Sequence, residues 1–183
     1  MPRTSANVEQ FDAWLGEHVA VLYRVAYRLI GDAHEAEDVL QDTFRSAWTS
    51  RDLFDGTRSS RAWLMAILRR RVADHWRRRE RHETPVAEDL PHPPAPPHDP
   101  FGDELSAAMQ RSLARLPEEL RETLLLVVVG ELTHQEAADL QGIPLGTVLS
   151  RVSRARSRLR EYLLESRDEA RPHVGNGRAV NHG

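Results

Sequence analysis

The chain has 183 residues, a 40% hydrophobic fraction and a formal charge of -3, which suits one medium or two small soluble domains. It has no cysteine, which excludes disulfides and thiolate zinc sites, and no apolar run approaches the ~20 residues of a membrane span. Met1 to Ala6 lack the apolar stretch of a secretory signal, so a cytosolic protein without membrane insertion is expected.

A first helix is predicted from about Glu9 to Ile30, with Val19, Leu22, Ala26, Leu29 and Ile30 as its inner stripe. Gly31 ends it, and Asp32 can cap a second helix from Ala33 to about Ser50. Val39, Leu40, Phe44 and Ala47 fall at core spacing on that helix. Its outer surface begins acidic, with Glu35, Glu37, Asp38 and Asp42. Carboxylates there complement the helix dipole. Alternatively, Asp38, Gln41, Asp42 and Arg45 form a docking face for a basic partner, with Phe44 and Trp48 as anchors.

A loop from Arg51 to Ser59 breaks the pattern around Asp55-Gly56. It is either a plain connection or, with Phe54, part of a base-binding pocket. A third helix, Ser60 to His82, interleaves aromatics with arginines: Trp63, Arg69, Arg70, Arg71, His75, Trp76, Arg77, Arg78, Arg79 and Arg81. Leu64, Ile67, Leu68 and Val72 make its apolar stripe, and Arg69, Arg70 and Arg77 are expected on the opposite side. A solvated basic face would be braced by Arg70–Asp74 and Asp74–Arg78 pairs at i,i+4 spacing. The aromatics favour a second reading, because single-stranded nucleic acid is held by backbone charge together with base stacking. Trp63, His75 and Trp76 are the stacking candidates, with at least one tryptophan assigned to the core.

All 25 basic residues are arginine, whose planar fork suits phosphates and base edges. None falls between Glu83 and Glu104, a strip with six carboxylates and Pro85, Pro91, Pro93, Pro94, Pro96, Pro97 and Pro100. Such a strip should be an extended, acidic linker.

Beyond the strip four helices are expected: Leu105 to Leu116, Glu118 to Val129, a short one opened by the capping-box pattern Thr133-His-Gln-Glu136, and a long one from Leu145 to about Tyr162. Pro117 suits the first turn of its helix, and Gly130 and Gly142 end theirs. Val148, Val152, Ala155 and Leu159 form the inner stripe of the last helix. Thr147, Ser150, Arg151, Arg154, Ser157 and Arg158 fall on or near the other face. A short helix, a glycine turn and a helix with small polar and arginine residues outward make a helix-turn-helix, whose second helix enters the major groove.

Both halves resemble the extracytoplasmic-function (ECF) sigma factors of bacterial RNA polymerase, of the sigma-70 type. In the first half the likeness lies in Asp32-Ala-His-Glu-Ala-Glu-Asp38-Val-Leu-Gln41-Asp42-Thr-Phe44, in Arg61-Ala-Trp63-Leu64 and in Asp74-His75-Trp76-Arg77-Arg78-Arg79. In the second it lies in Leu116-Pro117, Leu132-Thr133, Glu136-Ala137-Ala138, Gly142-Ile143-Pro144-Leu145-Gly146-Thr147-Val148, Ser150-Arg151 and Arg154-Ala155-Arg156.

The resemblance implies an all-α fold: a three-helix sigma region 2 at 8–82, a linker at 83–104, a four-helix sigma region 4 at 105–165, and tails at 1–7 and 166–183, the last disordered. It implies that Glu35, Asp38, Gln41, Asp42, Phe44, Arg45 and Trp48 dock on core RNA polymerase. Phe54, Asp55, Arg58, Arg61, Trp63, Arg69, Arg70, Asp74, His75, Arg77 and Arg78 would open and hold the minus-ten promoter DNA. Thr133, Gly146, Thr147, Ser150, Arg151, Arg154 and Arg158 would read the minus-thirty-five duplex, and an anti-sigma factor is an expected partner. Two departures stand out. Arg70 occupies a position where asparagine is common, and Leu149 replaces a frequent lysine.

A stand-alone helix-turn-helix regulator would account for the second half only. Nine histidines raise the question of a metalloenzyme, but there is no His-Glu-x-x-His pair, phosphate-binding glycine loop or nucleophile motif. Catalysis, cofactor, metal and small-molecule substrate are therefore not expected.

Overall fold

The computed structural model describes residues 8–82 and 107–169. The acidic strip and the N-terminal tail assigned from the sequence lie outside the described residues. Among those described, every regular element is helical: α1 Val8–Ile30, α2 Ala33–Thr49, a 3-10 turn Arg51–Leu53, α3 Ser60–His82, α4 Ala107–Ala114, α5 Glu118–Val128, α6 His134–Gln141 and α7 Leu145–Glu169.

Local chemistry sets most of these boundaries. Gly31, at φ 87°, ends α1, and its N–H donates to the Tyr27 carbonyl at 2.7 Å. Asp32 caps α2 by accepting from the Glu35 N–H at 2.9 Å. Thr133 and Glu136 close a reciprocal capping box on α6, and Gly142 ends that helix at φ 67°. Only a residue without Cβ adopts such angles freely, so each turn is written directly into the sequence.

Four expectations need correction. Pro117 is the N-cap of α5, at φ -50° and ψ 140°, and not a first-turn residue. The Arg51–Ser59 loop contains a 3-10 turn, and its Asp55 carboxylate accepts from both the Thr57 N–H and hydroxyl. Asp74 pairs at i,i+3 spacing with Arg71, at 3.3 Å, and with Arg77, and not with Arg70. Finally, α7 continues through Ser166 to Glu169, where a disordered tail was expected; Ser166 back-bonds to the Tyr162 carbonyl at 2.9 Å within the continuing helix.

The larger surprise is α1. One buried stripe was expected; Leu22, Ala26 and Ile30 of it are buried and Val19 and Leu29 half-buried, but Phe11, Trp14, His18, Val21, Tyr23, Val25 and Arg28 are buried as well. The reason is tertiary: α2 and α3 pack on α1 from the first half, and α4 and α5 pack on it from the second. A single apolar core therefore runs from Phe11 through Leu64, Met65 and Leu68 to Leu125, Leu126, Val148 and Ala155. Gly130 sits at this junction. A Cβ there would lie 2.6 Å from the Leu126 carbonyl oxygen and 3.0 Å from the Met65 Cε.

Candidate nucleic-acid and polymerase interfaces

The acidic start of α2 is not a free row of carboxylates. Glu35 lies 3.3 Å from His75 Nε2 and 3.5 Å from Arg79, and Asp42 lies 3.3 Å from Arg45 and 3.9 Å from Arg78. Three of these four contacts link α2 to α3. Asp38, Gln41 and Arg45 remain exposed on the outer side of α2, and Phe44 is half-buried against the core. Trp48, 38% exposed, packs edge-on to Phe11 with the Arg51 guanidinium 4.2 Å above its ring. Of the two aromatics named for that face, Trp48 is more open than Phe44.

The minus-ten candidates divide into two environments. Phe54 and Trp63 join Trp14 in a cluster of edge-to-face rings with centroids 4.6 to 5.9 Å apart. Both rings are half-buried, so each keeps a solvent-facing edge. His75 and Trp76 sit further along α3 with ring centroids 5.4 Å apart. Asp55, Arg58, Arg70, Arg77 and Arg78 are exposed. Arg58, Arg69, Arg70 and Trp76 share the walls of a cleft of about 550 Å³ between α3 and the second half, whose other wall includes Glu118, Arg121, Glu122 and Asp139.

Two candidate arginines are engaged across that boundary. Arg61 donates to Glu131 at 2.7 Å, and Arg69 to Glu122 at 2.6 Å. The Arg69 position corrects the sequence expectation of a cation on the free side of α3. Glu131, the acceptor for Arg61, has φ 54° and is the only non-glycine residue in the left-handed region among those described.

A third link joins two helix starts. The Ser59 hydroxyl caps α3 by accepting from the Ala62 N–H at 3.2 Å and donates to Glu136 Oε1 at 2.7 Å. The other oxygen of Glu136 accepts from the Thr133 N–H and hydroxyl, both at 2.9 Å. Partial burial raises the Glu136 carboxyl, but the bonds from Ser59 and Thr133 and the Arg61 charge outweigh it and hold it below the usual carboxylate range. Ser59, Glu122, Glu131 and Glu136 were absent from the sequence reading as interface residues. Their partners lie 53 to 77 positions away, beyond any local signal.

In the second half, α6, the Gly142 turn and α7 form the helix-turn-helix. Val148, Val152 and Ala155 are fully buried along one side of α7. Helical periodicity then sets Gly146, Ser150 and Ser153 opposite them, and all three are exposed. Arg154 and Leu149 form the two shoulders of that outward face. The Arg154 guanidinium folds over the start of the helix, 3.3 Å from both the Ser150 carbonyl and its hydroxyl. Arg151 turns the other way, to Gln141 Oε1 at 3.4 Å, where it braces α6 against α7. Thr133 spends its hydroxyl on the capping box, Thr147 is half-buried and Arg158 is exposed. Ser153, missing from the sequence reading, sits in the middle of the face.

Two helical units in this order, one with an aromatic-arginine helix and one with an outward-facing helix-turn-helix, match two family models. Sigma-70 region 2 covers residues 14–82, and the sigma-70 region 4 model covers 106–159. The chain is 39% identical to the ECF RNA polymerase sigma factor SigL of Mycobacterium tuberculosis over 168 residues, 88% of this chain and 93% of that protein. The chain belongs to the ECF sigma factors.

Other ECF sigma factors agree. SigW of Bacillus subtilis is 29% identical over 78% of this chain and 82% of its own length. SigE of Mycolicibacterium smegmatis is 34% identical over 90% of this chain, which spans 65% of that relative's length. Among solved structures, the sigma factor RpoE of Bartonella quintana in complex with the anti-sigma factor NepR superposes with a TM-score of 0.71 at 30% identity. That match covers 86% of this sigma factor and 98% of that chain. CnrH in complex with the cytosolic domain of CnrY gives 0.67 at 28% identity, over 88% and 92% of the two chains. Among the described residues of this ECF sigma factor there is no helix long and apolar enough to cross a membrane and no cluster of potential metal ligands.

Proposed function

We propose that this ECF sigma factor is the promoter-recognition subunit of a bacterial RNA polymerase, with its labour divided between the two halves. Residues 8–82 engage the core enzyme through Asp38, Gln41, Arg45 and Trp48, with Glu35, Asp42 and Phe44 setting the helix behind that face. The loop from Phe54 to Arg61 and the α3 side chains Trp63, Arg69, Arg70, Asp74, His75, Arg77 and Arg78 hold the minus-ten strand unpaired. Residues 105–165 read the minus-thirty-five duplex with Gly146, Ser150 and Arg154 at the groove, Thr147, Arg151 and Arg158 beside it and Thr133 at the start of α6. Residues 83–104 connect the two units, and the protein acts in the cytoplasm, at the nucleoid when part of the holoenzyme. It carries out no catalysis of its own; bond formation belongs to the polymerase.

The observation that supports this best is the exposed outward face of α7 on a helix-turn-helix, joined to a second basic unit that a simple operator-binding protein has no use for. The Arg61–Glu131 and Arg69–Glu122 pairs have a consequence here. Two minus-ten cations are occupied by carboxylates of the other half while the halves are closed together. Promoter opening then requires the halves to part, and core polymerase supplies the competing contacts. An anti-sigma factor, the partner type present in the complexes of the two structural relatives, would bind and keep the core-docking faces unavailable.

In vitro transcription from a promoter library tests the proposal. The purified chain with core polymerase should start RNA at defined sites, with permanganate-reactive thymines upstream of each start. The chain alone should bind the same fragments weakly. Tight, polymerase-free binding with no transcription would instead identify a stand-alone regulator.

A further inference from the structure

On the face of α7 proposed to meet the minus-thirty-five duplex, one side chain does not fit a purely polar reading. Leu149 is 49% exposed, and Leu145, one turn earlier on the same side, is 41% exposed. Neither belongs to the buried stripe of Val148, Val152 and Ala155. Leu149 borders the strip of Gly146, Ser150 and Ser153, whose small side chains let the helix backbone come close to a groove floor. Across that strip, on the opposite shoulder, stands Arg154, folded onto Ser150 at 3.3 Å.

The surface chemistry selects among occupants. Two leucines one turn apart offer far less than the roughly 800 Å² per partner that a stable protein interface uses. They are also continuous with serines and an arginine that suit base edges and phosphates. The major groove holds one apolar feature of matching size, the thymine 5-methyl group, and no other base carries it.

Resting on the minus-thirty-five reading above, we propose that Leu149 is a specificity-determining residue that recognises a thymine methyl in the minus-thirty-five element, with Leu145 extending the same apolar strip. Arg154 and Ser150 hold the helix in register against polar groups, while Leu149 discriminates by excluding water from one methyl. Water excluded from a single methyl corresponds to about a fourfold preference for thymine over uracil, which lacks only that group.

The test uses holoenzyme assembled from full-length chain and core polymerase, on a promoter it selects from a randomised library. Each minus-thirty-five thymine is replaced in turn by deoxyuridine, and initiation is compared for wild type, Leu149→Ala and Arg154→Ala. The expected result is one position, or two adjacent ones, where uracil lowers wild-type initiation about fourfold. Leu149→Ala should lower initiation on the thymine promoter similarly and be indifferent to uracil at that position. A selected element without thymine, uracil tolerated everywhere, or losses from Leu149→Ala and uracil that multiply would each overturn the proposal. Should Arg154→Ala impair initiation while Leu149→Ala and uracil do not, only the leucine assignment fails. Should neither substitution matter on any promoter, the minus-thirty-five reading fails with it. Equal core-polymerase binding by Leu149→Ala is expected, and weakened core binding with unchanged base preference would mark Leu149 as a protein contact and overturn the proposal.

Discussion

His18 is an apolar-core position held by a titratable ring. It is 2% exposed, its Nε2 lies 2.9 Å from the Ser60 hydroxyl, and its Nδ1 has no hydrogen-bond partner, with Glu17 at 3.9 Å. Burial pushes its pKa below 6.5; Glu17 and Glu131 oppose the shift and Arg61 adds to it. Above 6.5 the ring is neutral in both folded and unfolded chains and has no pH effect. As pH falls below that value the unfolded chain takes up the proton first, so stability is lost down to the folded pKa. A His18→Gln variant, which can still bond Ser60, should therefore show a shallower fall in melting temperature than wild type as pH drops below 6.5. Identical slopes in calorimetric scans would show that His18 does not titrate across this window. At Gly130 the constraint is steric: a Cβ 2.6 Å from the Leu126 carbonyl oxygen has nowhere to go. Gly130→Ala should lower stability by about 1–3 kcal/mol, the range of overpacked core sites, as read by urea titration. An unchanged midpoint would mean the α5–α6 turn can shift.

Among the elements, the capping boundaries were legible in advance because their chemistry is local. Asp32, Thr133 with Glu136, Gly31 and Gly142 each act within four residues of the helix end they fix. What local sequence did not disclose is that Glu136 serves two helices, closing its own capping box and receiving the Ser59 cap of α3. Thr133→Ala should cost about 1 kcal/mol, as other N-cap losses do. Glu136→Ala should cost more than Thr133→Ala, because it also severs the bond between the halves. The comparison is made by thermal unfolding of both variants, and a Thr133→Ala loss equal to or larger than that of Glu136→Ala would mean the Ser59 bond adds nothing. The aromatics proposed to hold the minus-ten strand followed the same logic. Their interleaving with arginine was visible, but the enclosure of Phe54 and Trp63 around Trp14 depends on α1 lying across them.

For the molecule as a whole, the closed arrangement is held chiefly by apolar packing of Met65 and α1 against α5, with ion pairs at its rim. The Arg61–Glu131 and Arg69–Glu122 pairs are partly solvated, and each contributes no more than about 1 kcal/mol. They still bias the balance, since two like charges facing one another replace attraction with repulsion. A Glu122→Arg, Glu131→Arg double variant should populate more extended forms, seen as a larger radius of gyration by small-angle scattering at low salt. It should also associate with core polymerase faster than wild type. An unchanged radius at both low and high salt would show that the rim pairs do not govern opening.

The order of helices, their caps, the inner stripe of α7 and the family itself could be read from the chain, because periodicity, turn glycines and capping residues act over one or two turns. Which arginines are held in ion pairs across the junction could not. Arg69 and Arg154 look alike in sequence, yet one is bound to Glu122 across the junction and the other lies on an open face. That distinction, like the burial of α1 on more than one side, arises when segments 50 or more positions apart come together. Long-range packing leaves no periodic mark on either partner, so it becomes visible only once the two halves are seen against each other.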